Sequence, residues 1–130
     1  VIRSDKMLLN RKYKELVICA IAVLNKAEYE FIQHEKPWRD AGATDEQVLE
    51  IRNLEHSLFN TSECFDMMEL DMLQLTTEIT RNVKPSREIR LKLKQILSDK
   101  ILVELISVIS AYNMVSRLLE SLDITIDGEI

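Results

Sequence analysis

The hydrophobic positions along the chain recur at helical spacing and predict a succession of α-helices. The longest apolar run, Leu16–Leu24, has nine residues and no polar face. A helix of this kind must be covered on every side, so we expect the helix from Arg11 to about Asn25 to be buried. The run is far shorter than the roughly 20 apolar residues that span a bilayer, which argues against a membrane partner.

Mixed polarity from Lys26 to Ala41 predicts the second helix. Gly42 follows it and can adopt the left-handed conformation that ends many helices. Pro37 lies inside this segment, so we expect it to kink the helix or to begin a new turn.

A capping box marks the start of the third helix. Thr44 and Gln47 have the required spacing, and they predict a short helix through about Leu54. Residues 55–65 are then predicted to form a loop, with Asn-Thr-Ser as its turn residues. A stripe of apolar side chains predicts the next helix over residues 66–81; its members are Met68, Met72, Leu75 and Ile79.

The segment Ile89–Lys94 alternates strictly between apolar and polar residues, which is typical of a strand. We nevertheless predict a helix, because Ser86 can cap it and an isolated strand would have no partner. Its apolar residues also make a helical face: Ile89, Leu93, Ile96 and Leu97. Ser98 is then predicted to cap a long final helix over residues 99–122.

These elements predict a single all-α domain, a helical bundle over residues 1–130. Residues 1–10 are expected to be the remnant of a longer N-terminal region, and residues 123–130 a polar tail. Two helices that are apolar on most sides are difficult to cover in so small a bundle, because a domain of this length has little deep interior. We therefore expect a homo-oligomer in which neighbouring copies cover part of this surface.

The amino-acid composition argues against several classes of function. The chain has only two glycines, too few for a glycine-rich phosphate-binding loop, and its net charge of −5 argues against a nucleic-acid partner. It has only two cysteines, and nothing in it resembles a signal peptide. We expect a cytoplasmic protein.

Three polar side chains are the best candidates for chemistry. Glu30 and His34 are four residues apart and share a helix face. If the first two helices form a hairpin, Glu15 comes near both of them. A histidine between two carboxylates can donate and accept protons near neutral pH, which general acid–base catalysis requires. The alternative is an ordinary solvated pair on the surface.

Two stretches resemble one known superfamily. KELVICAIAVLNKAEYEFIQHEKPWRDAGATDEQVLEI, from Lys14 to Ile51, looks like the core of the carboxymuconolactone decarboxylase superfamily, which also contains the alkylhydroperoxidases. LISVISAYNMVSRLL, from Leu105 to Leu119, is similar to that superfamily's closing helix. The resemblance implies an alkylhydroperoxidase-like helical bundle assembled as a trimer or hexamer.

The alkylhydroperoxidase motif is Glu, eleven residues, Cys, two residues, Cys, three residues, His. The corresponding residues here are Glu15, Ala27, Glu30 and His34, so both motif cysteines are replaced. A thiol peroxidase needs an attacking thiolate and a resolving thiol. The remaining cysteines, Cys19 in the apolar run and Cys64 near the loop, are not expected to supply them. The histidines and carboxylates have no recognised metal-ligand spacing, so no metal is expected.

A glutamate at the second cysteine position is similar to the decarboxylase-like branch of the superfamily. The resemblance implies a cofactor-independent lyase that decarboxylates or rearranges a small carboxylated lactone or a related acid. His34 would donate or shuttle the proton, Glu30 would be its partner or the acid itself, and Glu15 would orient the imidazole.

An anionic substrate needs a basic group in the pocket. Arg11, Arg39 and Arg117 are candidates, and Arg117 lies in the family-like final helix. Tyr29 and Trp38 are predicted pocket walls, although aromatic residues at such positions are often core residues. Two other functions stay open. One is a thiol-type hydroperoxide reductase, which the missing cysteines disfavour, and the other is a non-catalytic oligomeric binding scaffold.

Overall fold

The computed structural model describes residues 9–54 and 63–124, which form six α-helices and no strand. The helices are α1 (Arg11–Leu24), α2 (Glu28–Asp40), α3 (Asp45–Arg52), α4 (Met67–Asn82), α5 (Arg87–Ile96) and α6 (Asp99–Ser121). The predicted all-α bundle is confirmed. The expected N-terminal remnant up to residue 8, most of the predicted loop and residues 125–130 of the tail lie outside the described residues.

Side-chain caps explain where several helices begin. Thr44 and Gln47 form the predicted capping box at α3, and Asp66 and Glu69 form a second one at α4. Each box satisfies backbone N–H groups that have no partner inside the first helical turn. Local capping therefore fixes the register of the two helices that flank the undescribed residues 55–62.

The alternating segment in the second half of the chain is helical, as predicted. Ser86 Oγ accepts a hydrogen bond from the backbone N–H of Ile89, and Ser98 Oγ accepts one from Ile101 at the start of α6. Ile89 and Leu93, one turn apart, bury the inner face of α5. The packing of α5 therefore follows the helical spacing of these two residues rather than the alternation of apolar and polar residues.

The proline in α2 does not begin a new helix. α2 continues past Pro37 to Asp40, and Ala41 is its C-cap. Gly42 follows with a φ of 118°, which is costly for any residue with a Cβ atom. The predicted helix end at this glycine is confirmed.

α1 is the central helix of the bundle. It packs against α2, α3, α4 and α6, and every residue from Glu15 to Ala22 is buried. One core cluster lies between α1, α4, α5 and α6, and a second lies between α1, α2, α3 and the start of α4. The chain itself therefore covers the all-apolar helix, and the part of the oligomer argument that rested on α1 was wrong.

α6 differs, because part of its apolar surface is exposed. The exposed apolar residues are Val103, Met114, Leu118 and Leu122. Among the described residues α6 is also the one helix long and apolar enough to cross a membrane, with 33% of its most apolar window buried. Length and composition are weak grounds for a membrane span in a helix that packs against α1, α4 and α5.

Candidate functional site

A tight turn folds α2 back onto α1 and brings the predicted residues together. Lys26 has a φ of 56°, and the backbone N–H of Ala27 donates to the carbonyl oxygen of Ala22 over 2.7 Å. The two helices then run in opposite directions. Glu15, early in α1, consequently faces the middle of α2, where His34 lies.

His34 is bonded to Glu15. Its Nδ1 atom lies 2.9 Å from Oε2 and 3.3 Å from Oε1 of the carboxylate. A carboxylate accepts hydrogen bonds, so this contact places a proton on Nδ1 and leaves Nε2 as the second functional atom of the ring. Glu15 is 4% exposed, whereas the His34 side chain is 19% exposed. Glu15 is thus a buried orienting group, and His34 is the more accessible member of the pair.

Glu30 lies on the other side of the imidazole. Its Oε2 atom is 3.7 Å from His34 Nε2 and has no hydrogen-bond partner among the described residues. Burial raises the pKa of the Glu30 carboxyl, His34 acts against that rise, and Glu15 adds to it. The protonated form of Glu30 is therefore favoured more than in an exposed glutamic acid, and His34 Nε2 lies nearby.

Tyr112 of α6 completes the surroundings of the histidine. The two ring centroids are 5.3 Å apart with an interplanar angle of 83°, an edge-to-face contact. Burial, followed by the charges of Glu15 and Glu30, raises the pKa of the Tyr112 phenol, which is neutral near physiological pH. The sequence analysis did not identify this residue as part of the site, because its only local signal was an aromatic position in the family-like final helix.

Together these side chains form an acid–base cluster, which we define as Glu15, Glu30, His34 and Tyr112. The 3.7 Å separation between Glu30 Oε2 and His34 Nε2 is longer than a hydrogen bond, so the two groups are neighbours that are not bonded to each other. Such contacts are often long in a free enzyme and shorten when substrate binds. The cluster can orient an imidazole, hold one proton between two groups and exchange it with a ligand.

The two cysteines do not form a thiol centre. Cys19 lies one turn after Glu15, is fully buried and is free. Burial raises the pKa of the Cys19 thiol, and the carboxylate of Glu15 raises it further, so the reactive thiolate is disfavoured. Cys64 is half-buried. No group of three or more histidine, cysteine, aspartate or glutamate side chains suited to a metal ion occurs in the described part of the chain.

The predicted aromatic pocket walls differ in position. Trp38 is completely buried in the second core cluster, so it does not form a ligand-accessible wall, and the prediction for this residue was wrong. The physical reason is its packing: Trp38 lies near the end of α2, where the helix contributes to the core cluster that also contains Phe31 and Ile51. Tyr29 is half-buried on α2, next to Glu30 in the chain.

The predicted basic residues are engaged elsewhere. Arg117 donates to the backbone carbonyl of Thr80 over 3.0 Å and lines a surface cavity of about 180 Å³. None of the acid–base cluster lines that cavity; its other lining residues are Ile79, Val83, Ser110 and Asn113. Arg39 is paired with Glu35 and Asp45, and Arg11 is exposed at the start of α1. The substrate-binding role predicted for Arg117 thus has no support from its position.

Comparison with known proteins agrees with the geometry. The sequence model of the carboxymuconolactone decarboxylase family matches residues 3–67, which is half of the chain and includes α1, α2 and α3. No curated protein matches the chain. The resemblance of residues 105–119 to the superfamily's closing helix lies outside the matched range and stays a prediction. On the matched half, which carries Glu15, Glu30 and His34, the chain belongs to the carboxymuconolactone decarboxylase family.

Proposed function

We propose that the protein is a cofactor-independent acid–base catalyst, a lyase or isomerase that acts on a small lactone or a related acid. The observation that carries the proposal is the position of His34 between two buried carboxyl groups, 2.9 Å from Glu15 and 3.7 Å from Glu30. General acid–base catalysis needs such a group with its proton held in a defined position.

The roles follow from the protonation states that the geometry favours. Glu15 accepts the Nδ1 proton and fixes the ring, so His34 works through Nε2. The raised pKa of Glu30 makes it a proton donor. In a decarboxylation, the bond between the ring carbon and the carboxylate breaks, and carbon dioxide leaves. The electron pair is delocalised into the lactone carbonyl as a dienolate, and a proton from Glu30 or His34 then forms the new C–H bond.

The hydroperoxide-reductase alternative requires a thiol, and neither position of the dithiol motif holds one. The scaffold alternative predicts no turnover at all. Buried carboxyl oxygens without a hydrogen-bond partner among the described residues also occur in Glu69 and Asp71, which lysines approach, so burial alone does not separate the two interpretations. The histidine between Glu15 and Glu30 favours the catalytic interpretation, because an imidazole can exchange a proton near neutral pH.

The test compares the wild-type protein with His34→Ala on two compounds. One is a carboxylated muconolactone, followed by release of carbon dioxide. The other is α-angelica lactone in deuterated water, followed by NMR for isomerisation and deuterium incorporation. We expect His34→Ala to lower whichever reaction the wild type catalyses by at least about a hundredfold, the low end of what a positioned proton donor contributes.

A control separates proton chemistry from thiol chemistry. Cys19→Ala combined with Cys64→Ala should keep turnover within about twofold, because thiols have no part in the proposed steps. Undiminished turnover in His34→Ala would contradict the proposal. Absence of enzyme-dependent proton exchange and of decarboxylation in the wild type would also contradict it and would favour the scaffold.

We further propose that the protein is a soluble, cytoplasmic homo-oligomer, a trimer or a hexamer, assembled through the exposed face of α6. That face contains Val103 and Met114, both 64% exposed, and Leu118, 55% exposed. Burying a face of this kind against a second copy removes apolar surface from water without burying charge. Sedimentation equilibrium is the measurement, and Met114→Lys should shift the mass towards the monomer of 15.1 kDa. A wild type that is monomeric would contradict this proposal.

A further inference from the structure

The acid–base cluster is acidic and has no basic partner. Within residues 9–54 and 63–124, neither Glu15 nor Glu30 forms an ion pair with a lysine or an arginine; the side chain that contacts both is His34. Glu15 is 4% exposed and Glu30 is 7% exposed, so water screens their charges poorly. A single histidine thus faces two buried carboxyl groups.

Two arginines of the surrounding helices, Arg39 and Arg52, already contact other groups. Arg39 is paired with Glu35, with Nε and Oε2 3.0 Å apart, and also with Asp45. Arg52 donates to Glu28 over 2.9 Å, and its guanidinium lies 4.1 Å above the Phe31 ring. Binding a substrate carboxylate through either arginine would require breaking these contacts.

One buried atom indicates which class of ligand the site binds. Glu30 Oε2 has no hydrogen-bond partner within the described part of the chain and lies 3.7 Å from His34 Nε2. A protonated Glu30 carboxyl group would be a hydrogen-bond donor whose neighbouring acceptor, His34 Nε2 at 3.7 Å, is beyond hydrogen-bond distance. A carbonyl oxygen is a suitable acceptor, whereas a carboxylate would bring a further negative charge next to Glu15.

We propose that the site binds an uncharged carbonyl compound, a lactone or an enone, and rearranges it rather than decarboxylating an acid. The carbonyl oxygen lies towards Glu30 Oε2 and the reacting carbon towards His34 Nε2. This inference rests on the proposed acid–base function and narrows its substrate class. The raised pKa values of Glu30, Tyr112 and the Cys19 thiol support it, since a cluster carboxylate contributes to each.

The reaction balances without a co-reactant. His34 Nε2 removes a proton from the carbon that lies between the carbonyl group and a carbon–carbon double bond of the substrate. The C–H electron pair is delocalised through the double bond and onto the carbonyl oxygen as a dienolate. The Glu30 proton forms a hydrogen bond with that oxygen as its negative charge develops. The proton on Nε2 then returns to a more distant carbon, so the product is an isomer of the substrate and both side chains regain their starting protonation states.

The test uses a matched pair of ligands that differ in charge. These are 5-oxotetrahydrofuran-2-carboxamide, which is neutral, and 5-oxotetrahydrofuran-2-carboxylate, which has the same ring and nearly the same size. Affinities are measured at neutral pH from the NMR shifts of the His34 ring in the full chain. We expect the carboxamide to bind at least about tenfold more tightly, because the carboxylate meets like charge in a poorly screened site.

Two further measurements isolate the charge effect. Glu15→Gln keeps the size of the side chain and should reduce the preference for the carboxamide at least about threefold, whereas Glu88→Gln, an exposed change on α5, should leave it unaltered. In the unmodified protein, the neutral methyl ester of the same acid should bind within about threefold of the carboxamide, because it has no charge for Glu15 to repel. This comparison remains informative if Glu15→Gln fails to fold.

Equal or tighter binding of the carboxylate would overturn this inference. So would the absence of any His34 shift with both ligands. Neither result would by itself remove the proposed function, which stands or falls on loss of turnover in His34→Ala. A protein that decarboxylates the muconolactone acid through His34 would therefore refute the substrate class and keep the acid–base mechanism.

Discussion

The chain buries two pairs of carboxylates, and the two pairs differ in their partners. Glu15 and Glu30 contact His34. Glu69 and Asp71 of α4 are 3% exposed, and lysines approach them: Lys92 Nζ is 3.0 Å from Asp71, and Lys12 Nζ is 3.9 Å from Glu69. Both pairs include oxygen atoms without a hydrogen-bond partner in the described residues. Burial of a carboxylate therefore does not by itself distinguish the two.

The partner determines what each pair can do. A lysine has an ordinary pKa of about 10.4, so it remains charged and holds a carboxylate in a fixed ion pair. A histidine changes its charge near neutral pH and can pass a proton on. The lysine-paired acids consequently link α4 to α1 and α5, whereas the histidine-paired acids have a partner suited to catalysis.

The strongest effect is expected from replacing His34 with lysine, the residue type that approaches Glu69 and Asp71. His34→Lys keeps a positive group near Glu15 and Glu30 but removes the exchangeable ring proton. We expect turnover of α-angelica lactone to fall at least about a hundredfold while the fold is retained. Activity is followed by NMR and folding by circular dichroism. Retained turnover would mean that a positive charge alone suffices at this position.

Removing the lysine from the other pair should affect stability instead. Lys92→Met leaves the buried Asp71 carboxylate without its ion-pair partner, and we expect a loss of about 2 kcal/mol in the free energy of unfolding. Urea denaturation measures it. Lys94→Met, at an exposed position on the same helix, is the matched control and should change stability by less than about 0.5 kcal/mol. Equal losses of unfolding free energy in both variants would contradict a structural role for the ion pair between Asp71 and Lys92.

The smallest expected effect is on the pH dependence of stability. The folded-state pKa of Glu30 is raised above 4.5, so between that value and the raised pKa the folded protein binds more protons than the unfolded chain. Wild-type stability should therefore fall as pH rises through this interval. Glu30→Gln removes this titration, and we expect it to be relatively more stable above the interval by about 1 kcal/mol.

Unfolding curves of the wild type, Glu30→Gln and the exposed variant Glu88→Gln measure this difference across pH. The Glu88→Gln curve should follow the wild type. A wild type that gains stability relative to Glu30→Gln as pH rises would contradict the raised pKa.

The helices were predictable because their signals are local. The Thr44–Gln47 capping box and the Ser86 cap act within one turn of the chain, and they identified α3 and α5 even where the polarity pattern of α5 was ambiguous. The contact between Glu15 and His34 could also be predicted from the sequence, since one short turn joins the two helices. Both predictions depended on residues that are close in sequence.

The rest of the site depends on tertiary packing. Tyr112 reaches His34 from a helix 78 positions along the chain, and no periodicity in α6 marks it out. Trp38 was a plausible wall by residue type, but it packs into the second core cluster. Arg117 faces the Thr80 carbonyl, a direction that the sequence does not encode locally.

The burial of α1 from Glu15 to Ala22 has a consequence for how long the site persists. Backbone amides from Val17 to Ala22 lie in a helix that is covered on all sides, so their hydrogen exchange requires opening of the whole bundle. Glu15 is carried by the same helix, and its carboxylate keeps its place for as long as the domain remains folded.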